Sequence, residues 1–152
     1  MSIFHSMGIS SSALTSQRLR LDVISSNMAN IDTTRERIVN GEWQPYRRKM
    51  VVMTPKQTSF SSALNRAIDS QSGQSTPAGV KVSRIIEDPT PFKTMYDPEH
   101  PDADEEGYVY LPNVDPLREM VDMISATRSY EANVTVLNAT KAMLMKSLDI
   151  GK

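Results

Sequence analysis

The sequence predicts a mainly α-helical protein whose long N- and C-terminal heptad helices pack as a coiled coil or helical bundle around a small β-rich, partly irregular insert. Three observations predict it. An apolar stripe at alternating 4-3 spacing runs over residues 3–31, and a second runs over residues 120–148. Between them prolines and glycines gather and the helical period is lost. The expected units are 1–34 together with 112–152 as a terminal-helix domain, and 35–111 as the insert.

The first stripe is carried by Ile3, Met7, Leu14, Leu21, Ile24, Met28 and Ile31, with Ser10 and Gln17 as polar interruptions. Gly8 and the run Ser10-Ser11-Ser12 weaken its first turns. From Ser25 to Thr34 the chemistry turns against helix, because Asn30, Asp32, Thr33 and Thr34 compete for backbone hydrogen bonds. The helix is expected to stop there.

Asn40-Gly41 is a strong turn dipeptide, and Trp43 to Met53 reads as a strand ending at Pro55. Trp43 is expected to anchor the packing of the insert, and Arg47-Arg48-Lys49 to form a solvated basic face. Ser62 to Asp69 has the pattern of two helical turns with Leu64 and Ile68 on one face, and about 69–79 has linker composition. Val80, Val82, Ile85 and Ile86 give a second strand. Residues 87–106 hold eight acidic side chains and four prolines, which predicts an extended, solvated segment. Within it Asp102, Asp104, Glu106 and Gly107 imitate the start of a calcium loop, but Asn113 stands where the bidentate Glu belongs. No metal site is therefore expected. Tyr108 to Leu111 gives a third strand, expected to pair with the earlier two.

The second stripe comprises Met120, Met123, Tyr130, Val134, Leu137, Leu144 and Leu148, interrupted by Thr127 and Lys141. Asp115 can cap the helix and Pro116 suits its first turn, and no glycine or proline follows before Gly151. One helix of roughly 34 residues, about 50 Å long, is expected. A helix with so narrow an apolar face needs a partner, and the two terminal stripes can supply each other.

Composition narrows the function. Seventeen basic and eighteen acidic residues give no drive toward nucleic acid. The absence of cysteine removes disulfides and thiol chemistry. The residues from Met1 to Ser6 lack the basic-then-apolar pattern of a cleaved signal, and no stretch has the length of a membrane span. There is no phosphate loop, no Gly-x-Ser-x-Gly elbow and no convergent metal spacing, and His5 and His100 lie far apart in sequence. The chain is therefore read as non-catalytic, with no cofactor, and two non-enzymatic classes remain. One is a subunit of a helical polymer. The other is a secreted helical adaptor or chaperone-like binding protein.

The lettering at both ends favours the first. Ser26-Asn27-Met28-Ala29-Asn30 with Thr33, and Glu119-Met120-Val121-Asp122-Met123 running on to Arg128, Tyr130, Ala132 and Asn133, resemble the flagellar rod, hook and hook-associated family. Inward, Asp32-Thr33-Thr34-Arg35, Pro45-Tyr46-Arg47-Arg48-Lys49, Tyr96 to Asp104 and Gly107-Tyr108-Val109 look like its proximal-rod branch. Thr34-Arg35-Glu36 stands where many members have Pro-Gly-Tyr, which points away from hook and distal rod. The resemblance implies a structural subunit of the proximal rod, exported without a cleaved signal by the flagellar type III apparatus to the basal body outside the inner membrane. It also implies partners among other rod subunits and copies of itself, with torque transmission as the role. It assigns Asn27, Ala29, Asn30, Thr33, Glu119, Met120, Arg128, Tyr130, Ala132 and Asn133 to the family motif. The isolated chain is expected to be a homo-oligomer or a swapped assembly.

Overall fold

The structure, a computed structural model, describes residues 3–39, 41–56 and 79–151. Helix α1 spans Ile3–Ala29. Among the described residues six strands follow: β1 (Arg37–Val39), β2 (Glu42–Gln44), β3 (Lys49–Pro55), β4 (Val80–Glu87), β5 (Lys93–Tyr96) and β6 (Tyr108–Leu111). Helix α2 spans Pro116–Ile150. The expected two turns in 62–69 lie outside the described residues, as does all of the linker except Gly79.

The helices run antiparallel, since Asn27 near the end of α1 meets Glu119 in the first turn of α2 while Arg20 meets Asp122. At 27 and 35 residues they extend about 40 and 52 Å. The Asp115 carboxylate accepts the Leu117 amide at 3.0 Å and Pro116 occupies the first turn, so α2 starts where the sequence places it. At the end of α1, the Asn30 amide nitrogen donates to the Ser26 carbonyl at 2.8 Å, and the Thr33 hydroxyl donates to Asn30 Oδ1 at 3.2 Å. The turn chemistry of that segment closes the helix.

The register of the α2 seam differs from the periodicity at alternate positions. Met123, Val134, Leu137 and Leu144 are half-buried on the expected side. Between them, however, the buried residues are Glu119, Ala126 and Thr140, each one position before Met120, Thr127 and Lys141. Met120 is 45% exposed and Leu148 is 73% exposed. The reason is satisfaction of polar atoms: Thr140 donates to the Val136 carbonyl at 2.9 Å and Glu119 is bonded across the core, so neither needs water. The small side chain of Ala126 also permits close approach at a fully buried site.

Helix α1 has a second packing face, on β3 and β4. There Ser12 Oγ accepts the Val80 amide at 3.1 Å and donates to the Ile9 carbonyl at 2.7 Å, while buried Ser16 donates to Ser12 O at 2.9 Å. The Ser-rich start of α1 thus seats the beginning of β4.

The described residues of the insert form three separate antiparallel pairs: β1 with β2, β3 with β4, and β5 with β6. Two expectations change here. The run Trp43 to Met53 is not one strand, because Pro45 has no N–H and the next amides are turned elsewhere. Tyr46 N–H donates to Thr33 O at 3.0 Å, and Arg48 N–H donates to Asn113 Oδ1 at 2.8 Å. Likewise β6 pairs with β5 rather than with the earlier strands, so part of the acidic Pro-rich segment is strand. Its loop is held by Asp97 N–H to Gly107 O at 3.0 Å and Asp104 N–H to Tyr108 O at 2.9 Å. Gly107 has φ +82 and lies against the Tyr96 ring, a place that suits a residue without Cβ.

Among the described residues the buried apolar side chains are few: Val23, Ile24, Tyr46, Val109, Val114 and Ala126. Polar side chains carry the centre.

Candidate functional site

The buried centre is a polar junction where the end of α1, the segment Tyr46–Lys49, the turn at Asp88, Asn113 and the first two turns of α2 converge. Asn27 is 1% exposed. Its amide nitrogen donates to Lys49 O at 2.9 Å and to Glu119 Oε2 at 3.0 Å. Its carbonyl oxygen accepts Lys49 N–H at 2.9 Å and the Tyr46 hydroxyl at 3.0 Å. Both donors and both acceptor sites of the amide are thereby used.

Arg48 is the second hub. Its Nε donates to Glu119 Oε1 at 2.6 Å, and its two terminal nitrogens reach Asp88 at 3.4 Å and Asp122 at 3.3 Å. Burial acts to lower its pKa, but the hydrogen bond and charge of Glu119, then those of Asp88, outweigh burial and hold the cation above its ordinary value. Asp88 is held below the usual carboxylate range, chiefly by the Thr90 hydroxyl and amide; burial opposes them, and Arg48 adds to the lowering. Asn113 donates to the carbonyls of Asp88 at 3.2 Å and Thr90 at 3.0 Å. On the outer edge Arg20 bonds Asp122 at 2.8 Å, and a cleft of about 390 Å³ opens between Ile24, Met50, Arg118 and Glu119.

This arrangement braces. Glu119 and Asn27 are fully occupied by internal partners, which leaves neither free to move a proton to a substrate. Charged groups buried this deeply are costly to strip of one partner, so the junction couples the positions of the two helices and the insert.

The motif residues divide sharply. Asn27 and Glu119 sit at the centre, and Asn30 and Thr33 close α1. Asn133 is half-buried, with its amide donating to its own Ser129 carbonyl at 2.8 Å. Ala29, Met120, Arg128 and Ala132 are exposed, and Tyr130 lies at the edge at 36%. Of the first stripe, Ile24 is buried and Met7, Leu14, Leu21, Met28 and, just past α1, Ile31 are half-buried, while the side chain of Ile3 lies outside the described part. On α2, Met123, Val134, Leu137 and Leu144 are half-buried.

Sequence reasoning missed Tyr46, Arg48, Asp88, Asn113 and Asp122. The reading of Arg47-Arg48-Lys49 as wholly solvated is corrected, because Arg48 is 6% exposed. A signal existed: side chains alternate along an extended segment, so the middle residue of the run faces opposite to its neighbours. Trp43 is no packing anchor either, being 54% exposed. The calcium-like run is used otherwise, with Asp102 paired to Thr34 and Arg35 and Asp104 accepting the Glu105 amide at 2.8 Å. Among the described residues no helix is long and apolar enough to cross a membrane.

Comparison with known proteins places both ends of the chain. A family model described as flagella basal body rod protein matches residues 7–35, and one described as flagellar basal body rod FlgEFG protein C-terminal matches residues 105–150. These cover most of α1 with its closing motif, and β6 with α2. The flagellar basal-body rod protein FlgC of Bacillus subtilis is 61% identical over 152 residues, covering all of both chains. That of Borreliella burgdorferi is 43% identical over 157 residues, covering 99% of this chain and 98% of its own. That of Salmonella typhimurium is 41% identical over 152 residues, again covering both chains fully. With full-length identity of this order to several relatives, the chain belongs to the flagellar basal-body rod protein FlgC family.

Proposed function

We propose that the protein is a non-catalytic structural subunit of the proximal rod, which polymerises through its terminal helices into the shaft that carries motor torque. The observation that supports this most is the full-length likeness to rod proteins combined with a fold whose polar centre fixes two long helices in one geometry. A subunit that must pass on torque needs such rigidity, since every repeat adds its own compliance to the shaft. The exposed apolar side chains of α2, among them Leu117, Val121, Met143 and Ile150, provide further contact area for neighbouring rod subunits and copies of itself. Delivery by the flagellar type III export apparatus to the basal body outside the inner membrane belongs to the same reading.

Deletion of the gene tests it. The deletion strain should make no complete rods and should not swim, and a plasmid copy should restore both. Normal basal bodies and swimming in the deletion strain would overturn the reading and leave the secreted adaptor.

A further inference from the structure

We infer that the groove between the β1–β2 and β5–β6 hairpins receives Arg128, on the outer face of α2, from a second copy of this chain. The inference rests on the proposed polymeric role and names two surfaces that carry it.

The groove has a volume of about 400 Å³, with Trp43, Phe92 and Tyr110 on its walls and Glu42, Asp102 and Asp104 among them. Trp43 and Tyr110 are 54% and 48% exposed, so their rings are open to a partner. Asp102 is neutralised by Arg35. The Glu42 carboxylate is exposed and has no partner among the described residues, and among them the Asp104 carboxylate accepts only the Glu105 amide of its own turn, so the groove keeps negative charge. Aromatic faces attract cations through the ring quadrupole, and nearby carboxylates add to that attraction. The same wall already holds one such contact, the Arg47 guanidinium 4.6 Å from the Phe92 centroid. The chemistry that fits is a guanidinium carried on an apolar surface.

The chain presents that chemistry elsewhere. Leu117, Val121, Ile124 and Arg128 lie at helical spacing on one strip of α2, opposite the side packed on α1. Leu117, Val121 and Ile124 are 70%, 67% and 55% exposed, and the exposed Arg128 guanidinium has no hydrogen bond or ion pair with the described residues. Arg128 is thus a motif residue whose side chain has no partner among the described residues. No residue of α2 lines the groove, so strip and groove join two copies rather than one. Such a contact is heterologous: each copy keeps one unfilled surface, and association propagates instead of closing as a pair. Opposite charge on the two surfaces selects this register and accelerates encounter.

The full-length chain provides its own reporter, because Trp43 is its single tryptophan. Sedimentation velocity and Trp emission are followed together across protein concentration. Wild type should gain mass as concentration rises, with a parallel change in emission. Arg128→Glu and Glu42→Arg should each weaken association by about tenfold or more, and the charge-swapped double variant should recover much of the loss. All three are exposed changes, and an unaltered circular-dichroism melt confirms folding. The inference falls if Arg128→Glu associates like wild type, if Trp emission stays constant while mass rises, if the double variant is no better than either single one, or if wild type stays monomeric. In cells the two readings separate. An Arg128→Glu strain that swims normally beside a non-motile deletion strain rejects this contact and leaves the rod role standing.

Discussion

At the scale of single residues, the behaviour of this protein turns on charges held out of water. Arg48 and Glu119 each use the other as principal partner, at 2.6 Å and with side chains 7% and 0% exposed. Removing one leaves the other buried and uncompensated, which costs about 3–5 kcal/mol, whereas replacing both by apolar groups of similar size is often close to neutral. Arg48→Met is therefore expected to lower the urea unfolding free energy by about that amount, and Arg48→Met with Glu119→Met to recover most of it. Simply additive losses would show that the two residues act independently. Asp88 adds a pH dependence. It binds its proton less readily in the folded chain than in the unfolded one, so acid favours unfolding. Its contribution is complete above the ordinary carboxylate pKa of about 4 and disappears as pH falls through the lower folded value. Stability measured from pH 6 down to pH 2 should decline below about pH 4, and Asp88→Asn should flatten that decline; an unchanged slope in the variant would exclude Asp88 as its source.

At the scale of elements, boundaries were legible and pairings were not. The stop of α1 follows from Asn30 and Thr33, and the start of α2 from Asp115 and Pro116, all local chemistry that a sequence displays. The seam of α2 was half legible. Apolar periodicity finds Met123, Leu137 and Leu144, but it assigns Thr127 and Lys141 to the seam in place of Ala126 and Thr140. A polar side chain bonded to its own helix or to a buried partner behaves as core, and no hydrophobicity count can register that. The seat of β4 on α1 was likewise invisible. Gly79 lies so close to Ser12 that a methyl group there would fall on the hydroxyl that accepts the Val80 amide. Gly79→Ala should therefore cost about 1–3 kcal/mol through this overlap. Hydrogen exchange at Val80 provides the readout, and retained protection in the variant would refute the contact.

At the scale of the whole molecule, two kinds of seam residue are distinguishable. Leu137 is half-buried between the helices, whereas Leu148 is 73% exposed in the single chain. Leu137→Asp should destabilise the isolated protein by about 3 kcal/mol or more and abolish swimming. Leu148→Asp should leave its stability within about 0.5 kcal/mol and still abolish swimming, if the stripe continues between subunits as proposed. Swimming by the second variant would confine the seam to the chain. Sequence alone determined the two terminal helices, their ends and the family lettering, because heptad period, caps and turn residues act over a few positions. Only the tertiary structure decided which faces meet, that β6 turns back on β5, and that Arg48 lies at the centre with Asn27 and Glu119. Those outcomes depend on pairing polar atoms across 71 to 92 residues of chain, where the worth of each group is set by a partner that its own neighbourhood does not contain.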